Sequence, residues 1–180
     1  MNALDTLATR IDRLNDWIGR TTAWVALLMV LVQFTVVVMR YVFGIGSIMM
    51  QESVIYMHAF LFMVGAGYTL LRGGHVRVDV FYRDAKDHTK AWVDVLGVIF
   101  FLVPVCTLIA YYSWPYIHTS WSVFEGSKET SGIQAVYLLK TVLLVFCVLV
   151  SVQGVSLAVR SALHLAGARV TDPDQDKPIA

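Results

Sequence analysis

Four stretches of mostly apolar residues dominate this chain, over about residues 21–41, 53–71, 93–112 and 133–159. Each is close to the roughly 20 residues an α-helix needs to cross a hydrocarbon core about 30 Å thick. The first is interrupted only by Gln33 and Thr35. Charged residues make up 15% of the chain, against about 25% in an ordinary soluble domain, and they gather between the apolar stretches. The pattern predicts an all-α integral membrane protein with four transmembrane helices in a single membrane domain over residues 1–167. The polar, proline-bearing tail over residues 168–180 is expected to be disordered and cytoplasmic. A net charge of +1 offers no electrostatic case for a nucleic-acid partner.

The distribution of Lys and Arg sets an expected orientation. Arg10, Arg13 and Arg20 precede the first span. Arg72, Arg77, Arg83, Lys86 and Lys90 lie between the second and third, and Arg160, Arg169 and Lys177 follow the fourth. Only Arg40, Lys128 and Lys140 fall on the other side. This asymmetry predicts a multi-pass protein of the bacterial inner membrane with both termini in the cytoplasm. Tyr41, Phe43, Tyr111, Tyr112, Trp114, Tyr116 and Trp121 then mark the outer lipid interface, with Trp17 and Trp92 at inner ends. The apolar run from Ala23 to Met39 is too long for the h-region of a cleavable signal peptide, and no small-residue cleavage site follows it.

Leu4, Leu7, Leu14, Ile11 and Ile18 recur at helical spacing, with Arg10, Asp12, Arg13, Asn15 and Asp16 on the remaining faces. This reads as an amphipathic helix leading into the first span, lying on the lipid of the inner surface or packed on a partner. Gly73-Gly74 end the second span, because glycine accepts the left-handed backbone of a helix C-cap. The alternation from Val76 to Val80 suits a packed connector, and Asp84 and Asp87 suit the start of the next helix. The segment from Trp114 to Gly132 reads as a long outer loop whose aromatic residues serve the membrane interface or a partner.

Ionisable groups at membrane depth cost several kcal/mol unless paired, and here they are few. Glu52, Lys140 and Arg40 all fall near the outer ends of their spans, so Glu52 is expected to pair with Lys140 or Arg40. His58 lies inside the second span and reads as a packing residue. A haem would need a second histidine at matching depth, and the outer-side candidate His118 falls beyond the third span. Cys106 and Cys147 read as inert packing thiols. Pro104 is expected to kink the third span, and Gly65-Ala66-Gly67 and Gly154 allow close helix approach within the chain or to another subunit. No catalytic or metal-ligating constellation and no cofactor motif is present in the sequence, so no enzyme activity is expected. Three classes remain: a scaffold subunit of a transporter, a cytochrome-like membrane anchor, and a small self-contained channel or exporter.

The run Arg40-Tyr41-Val42-Phe43, then Gln51-Glu52, Gly65-Ala66-Gly67-Tyr68 and Gly74-His75-Val76-Arg77-Val78-Asp79 resembles the small membrane subunit of tripartite ATP-independent periplasmic (TRAP) transporters, the DctQ-like family. The similarity continues through Ser120-Trp121, Glu125-Gly126-Ser127 and Lys140, with a flavour nearest the mannitol/chloroaromatic subgroup. The resemblance implies a large multi-span membrane partner carrying the substrate and sodium sites, and a periplasmic binding protein that delivers an organic acid. It implies that Arg40, Glu52, His75, Arg77, Asp79 and Lys140 are structural or subunit-interface positions. Trp121 and Glu125 would help dock the binding protein.

Overall fold

The computed structural model describes residues 3–75 and 85–168; Arg77, Asp79, the Val76–Val80 alternation, Asp84 and the tail lie outside them. Every regular element among the described residues is helical. Four helical units are long and apolar enough to cross a membrane: Ala3–Val42, Ile48–Leu71, Asp87–Ser122 and Val136–Leu165.

The first unit is the single helix α1 (Ala3–Val42). Its 40 residues extend about 60 Å, roughly twice the bilayer core. The expected amphipathic N-terminal helix is therefore continuous with the first span, with its polar face packed on the bundle and its leucines turned outward. Asp5, Ala8, Asp12, Asn15, Gly19 and Thr22 are buried, a seam of polar and small residues spaced three and four apart. Leu4, Leu7 and Leu14 face outward. In lipid the exterior is as apolar as leucine, so helices are joined by small residues and interhelical hydrogen bonds instead of by an apolar stripe.

The second unit comprises α2 (Ile48–Val64) and α3 (Ala66–Leu71). The Ser47 hydroxyl caps α2 by accepting the Met50 N–H. Gly65 separates α2 from α3 without breaking the ladder, since Gly65 N–H donates to Leu61 O at 3.1 Å and Thr69 N–H to Gly65 O at 2.9 Å. The unit stops at Gly73, whose φ of +62° lets Gly74 N–H turn back to Thr69 O at 2.8 Å.

The third unit joins α4 (Asp87–Gly97), a π-helical turn (Val98–Leu102) and α5 (Val103–Ser122). Pro104 has no N–H to give to the preceding turn. The kink expected there takes the form of this π turn, in which Val103 N–H donates to Val98 O. Helix α5 then runs through Pro115 to Ser122, so Trp114–Ser122 is helical and not part of a loop. His118 lies within this helix as well. One interior proline removes one backbone hydrogen bond and need not end a helix whose flanking turns are packed.

Helix α6 (Val136–Leu165) is central and touches every other element. It runs antiparallel to α1, so Ala3 and Leu165 share one end of the bundle, called here the termini end. The core is built of small groups: Ala66, Cys106, Cys147 and Val150 cluster against Leu70, Leu102, Ile109 and Phe146. Gly154 receives Leu102 and Val98 of the π turn, and Ala66 and Gly67 are buried within the bundle. The small-residue patches thus serve packing inside the chain. The largest fully buried side chains are Asn15, Ser120 and Ser156, whereas Phe34, Phe62 and Phe101 face outward.

Candidate functional site

Two polar clusters fix the bundle, one at each end. At the termini end the Asp12 carboxylate, buried between α1 and α6, is saturated. Its Oδ2 accepts from Arg160 Nη2 at 2.6 Å and Nε at 2.8 Å. Its Oδ1 accepts from Ser156 Oγ at 2.7 Å and Gln153 Nε2 at 2.9 Å. Gln153 Oε1 in turn accepts from Asn15 Nδ2 at 2.8 Å. Asp5 stands 3.8 Å from Arg160 Nη1, adding a second negative group beside the guanidinium. A buried carboxylate is tolerated only when its charge and its lone pairs are all matched, and this arrangement meets both conditions.

The seam continues along α1 toward α3. The amide Oδ1 of Asn15 rests directly on Gly67, where a Cβ would collide with it. Gly19 likewise leaves room for the ring of Tyr68. Asp16 is bonded by Arg72 of the turn after α3 and by Arg20 at 2.7 Å. The Arg72 guanidinium also lies 5.4 Å from the centre of the Tyr68 ring, within cation–π range. His75 Nε2 sits 3.3 Å from Ala66 O, which holds the chain leaving α3 against the bundle.

At the opposite end, the loop end, residues 123–135 are folded down between α2, α5 and α6. Helix α5 stops in a two-bond turn: Phe124 N–H donates to Trp121 O at 3.3 Å and Glu125 N–H to Ser120 O at 3.0 Å. The αL position of that turn is held by Phe124, at φ +45°, a conformation costing a non-glycine residue about 1–2 kcal/mol. The turn delivers Glu125 to the Lys140 ammonium. Lys140 also lies 3.8 Å from the centre of the Tyr116 ring. The hydrogen bond from Lys140, helped by the charge of Lys128, holds the Glu125 carboxyl below its ordinary value. Beside them Trp121 Nε1 donates to Thr141 Oγ1 at 2.8 Å, and Tyr137 takes edge contacts from Trp121 and Phe124.

Glu52 does a different task from the one expected. Its carboxylate accepts from the Ser127 hydroxyl and, at 2.6 Å, from the Ile133 N–H. It ties the loop to the first turns of α2. The expected pairing of Glu52 with Lys140 or Arg40 is overturned, because Lys140 is engaged by Glu125, fifteen residues before it, and Arg40 is exposed in the last turn of α1. Gly132 makes room here for Ser127 and the Glu52 carboxylate, which a Cβ would strike, and a Cβ at Gly126 would displace the exposed Gln134 side chain.

The structure therefore gathers Glu52, Trp121, Glu125 and Lys140 at one end and His75 at the other, and leaves Arg40 apart. The residues that sequence reasoning missed are Asp12, Asn15, Gln153, Ser156 and Arg160. Their signal was present: Gln153 and Ser156 interrupt the last apolar span, matching the polar positions at spacings of three and four in α1. Among the described residues no group of three or more His, Cys, Asp or Glu is placed to hold a metal ion. Within each cluster the polar side chains bond mainly to groups of the chain itself.

The four-span bundle agrees with what the comparison with protein families gives: the family of tripartite ATP-independent periplasmic transporters, DctQ component, matches residues 29–164. The chain belongs to the DctQ family. The matched region reaches from within α1 almost to the end of α6 and so includes part of the first crossing and the other three. No curated protein and no solved structure matches. The DctQ component is a small multi-pass part of a tripartite transporter that also contains a large membrane subunit and a periplasmic binding protein. The two polar clusters are thus the internal fastenings of a transporter component.

Proposed function

We propose that this DctQ chain is the immobile scaffold of a sodium-coupled importer of an organic acid, bracing the large membrane subunit while that subunit moves the substrate. The observation that supports this most is the internal matching of charge. Asp12 with Arg160 joins two helices, Asp16 with Arg72 joins α1 to the turn after α3, and Glu125 with Lys140 joins the loop to α6, while Glu52 fastens the same loop to α2 through neutral donors. Such a bundle resists deformation. The bias of Lys and Arg toward the termini end supports cytoplasmic termini and a periplasmic loop end. On that loop end Trp121, Val123 and Phe124 are exposed beside Glu125, a mixed aromatic and charged surface suited to docking the binding protein.

The test is reconstitution of the large subunit into liposomes with and without this chain, in the presence of the binding protein and a sodium gradient. Uptake of labelled organic acid is expected only when all three proteins are present, and it stops when the gradient is collapsed. Full uptake by the large subunit without this chain would defeat the scaffold reading. Uptake that persists with potassium in place of sodium would defeat the coupling.

A further inference from the structure

We infer that the groove between α1 and α2 is the seat of one transmembrane helix of the large membrane subunit, and that this helix presents a hydrogen-bonding side chain to Gln33 and His58. The inference rests on the scaffold reading above and assigns it a surface. The groove has a volume of about 560 Å³ and is walled by Val30, Phe34, Val54 and Ile55, with Gln33 and His58 among its lining residues. Both of these polar residues are exposed at the bundle surface. Neither makes a hydrogen bond to any other described residue; His58 has only a ring contact with Phe62, 6.0 Å between centres.

Their depth is what decides the occupant. Gln33 lies nine residues before Val42, the end of α1, and His58 ten residues after Ile48, the start of α2. At 1.5 Å per residue they stand about 12 Å and about 8 Å inside the outer limits of the apolar stretches over residues 21–41 and 53–71, within a hydrocarbon core about 30 Å thick. Neither side chain is long enough to reach the interface from there. A lipid acyl chain can fill the groove but gives no hydrogen bond to an amide or an imidazole, and unsatisfied polar groups in hydrocarbon are strongly unfavourable. Elsewhere in this chain a deep amide finds its partners across a helix contact, as Gln153 does with Asn15 and Asp12. Two polar side chains lining one outward groove inside the core therefore call for a polar group from another helix. In a tripartite system the large subunit is the component that carries such helices.

The experiment uses the complex purified in mild detergent after photo-crosslinking in the native membrane. A photoreactive benzoylphenylalanine replaces Ile55 in the groove or, as a control, Phe101 on the outward face of the π turn. The Ile55 probe is expected to yield a covalent adduct with the large subunit and the Phe101 probe none. The double variant Gln33→Leu with His58→Leu is expected to lower the recovered large subunit about sevenfold, the effect of two hydrogen bonds of the usual strength between membrane helices. An adduct with a second copy of this chain would overturn the inference. So would adducts with lipid alone, or crosslinking from Phe101 instead, while the large subunit still co-purifies; in those cases the scaffold reading stands. Absence of the large subunit from every preparation would instead bring down the scaffold reading and this inference with it.

Discussion

Arg160 grips Asp12 through two nitrogens, at 2.6 and 2.8 Å, joining the last turns of the final helix to the first turns of the opening one. This contact closes the four-span bundle at the termini end. The remaining oxygen of Asp12 is occupied by Ser156 and Gln153, so removing Arg160 leaves the carboxylate without a counter-ion, and removing Asp12 takes from Arg160 its closest one, leaving Asp5 at 3.8 Å. Asp12→Ala is expected to destabilise the protein by about 3–5 kcal/mol, the usual penalty for breaking a buried pair. Replacing the whole charged group, as Asp12→Leu with Arg160→Met and Asp5→Asn, should be less damaging than Asp12→Ala alone, because Asp5, which also faces Arg160, is then neutralised along with its partner. Thermal unfolding in detergent of the three forms checks the order. A triple variant less stable than the single one would contradict it.

Gly67 faces the Asn15 amide oxygen so closely that a methyl group has no room. Gly67→Ala should therefore push α1 from α3 and destabilise the protein by about 1–3 kcal/mol, as overpacking commonly does. Added to an Asn15→Ala background, where the oxygen is gone, the same change should cost much less. The two substitutions are expected to be strongly non-additive. Equal effects of Gly67→Ala in both backgrounds would place the collision elsewhere.

The Glu125–Lys140 pair gives the loop end a defined pH response. The folded state holds Glu125 below 4.5, so the unfolded chain binds its proton more readily. Stability from the pair is then fully present above pH 4.5 and is lost as pH falls through the folded value. Trp121, packed on Tyr137 beside this pair, can report it. The emission in a variant with the other tryptophans replaced by phenylalanine should be flat from pH 8 to about 5 and change only below that. Glu125→Gln should abolish the acid change. A transition near pH 6 to 7 would contradict the assignment to Glu125.

The number of crossings was legible in the sequence because lipid demands about twenty apolar residues per helix, and nothing else in a chain produces that run four times. Which face of α1 turns inward was not. Leu4, Leu7 and Leu14 share the spacing of Asp5, Asp12 and Asn15, so periodicity alone defines two stripes. In water the apolar stripe is the one buried; against lipid it is the polar one, and only the partner groups Gln153, Ser156 and Arg160 decide between them. Likewise Glu52 and Lys140 were read as partners from similar depth. Depth says nothing of the loop, and the left-handed turn at Phe124 folds that loop back to bring Glu125 closer.

A charge exchange separates these two pairings of Lys140. Lys140→Glu alone should weaken the loop end, since it places a second carboxylate beside Glu125. Adding Glu125→Lys restores opposite charges at the same positions, and part of the lost stability should return. Recovery should stay incomplete, because the ammonium over the Tyr116 ring is replaced by a carboxylate, which the negative face of the ring repels. Adding Glu52→Lys to Lys140→Glu should give no recovery: it removes the acceptor of the Ser127 hydroxyl and the Ile133 N–H and compounds the damage. Recovery of complex after detergent extraction, compared across the three variants, reads the outcome. Rescue by Glu52→Lys and not by Glu125→Lys would show that Lys140 answers to α2 and not to the loop.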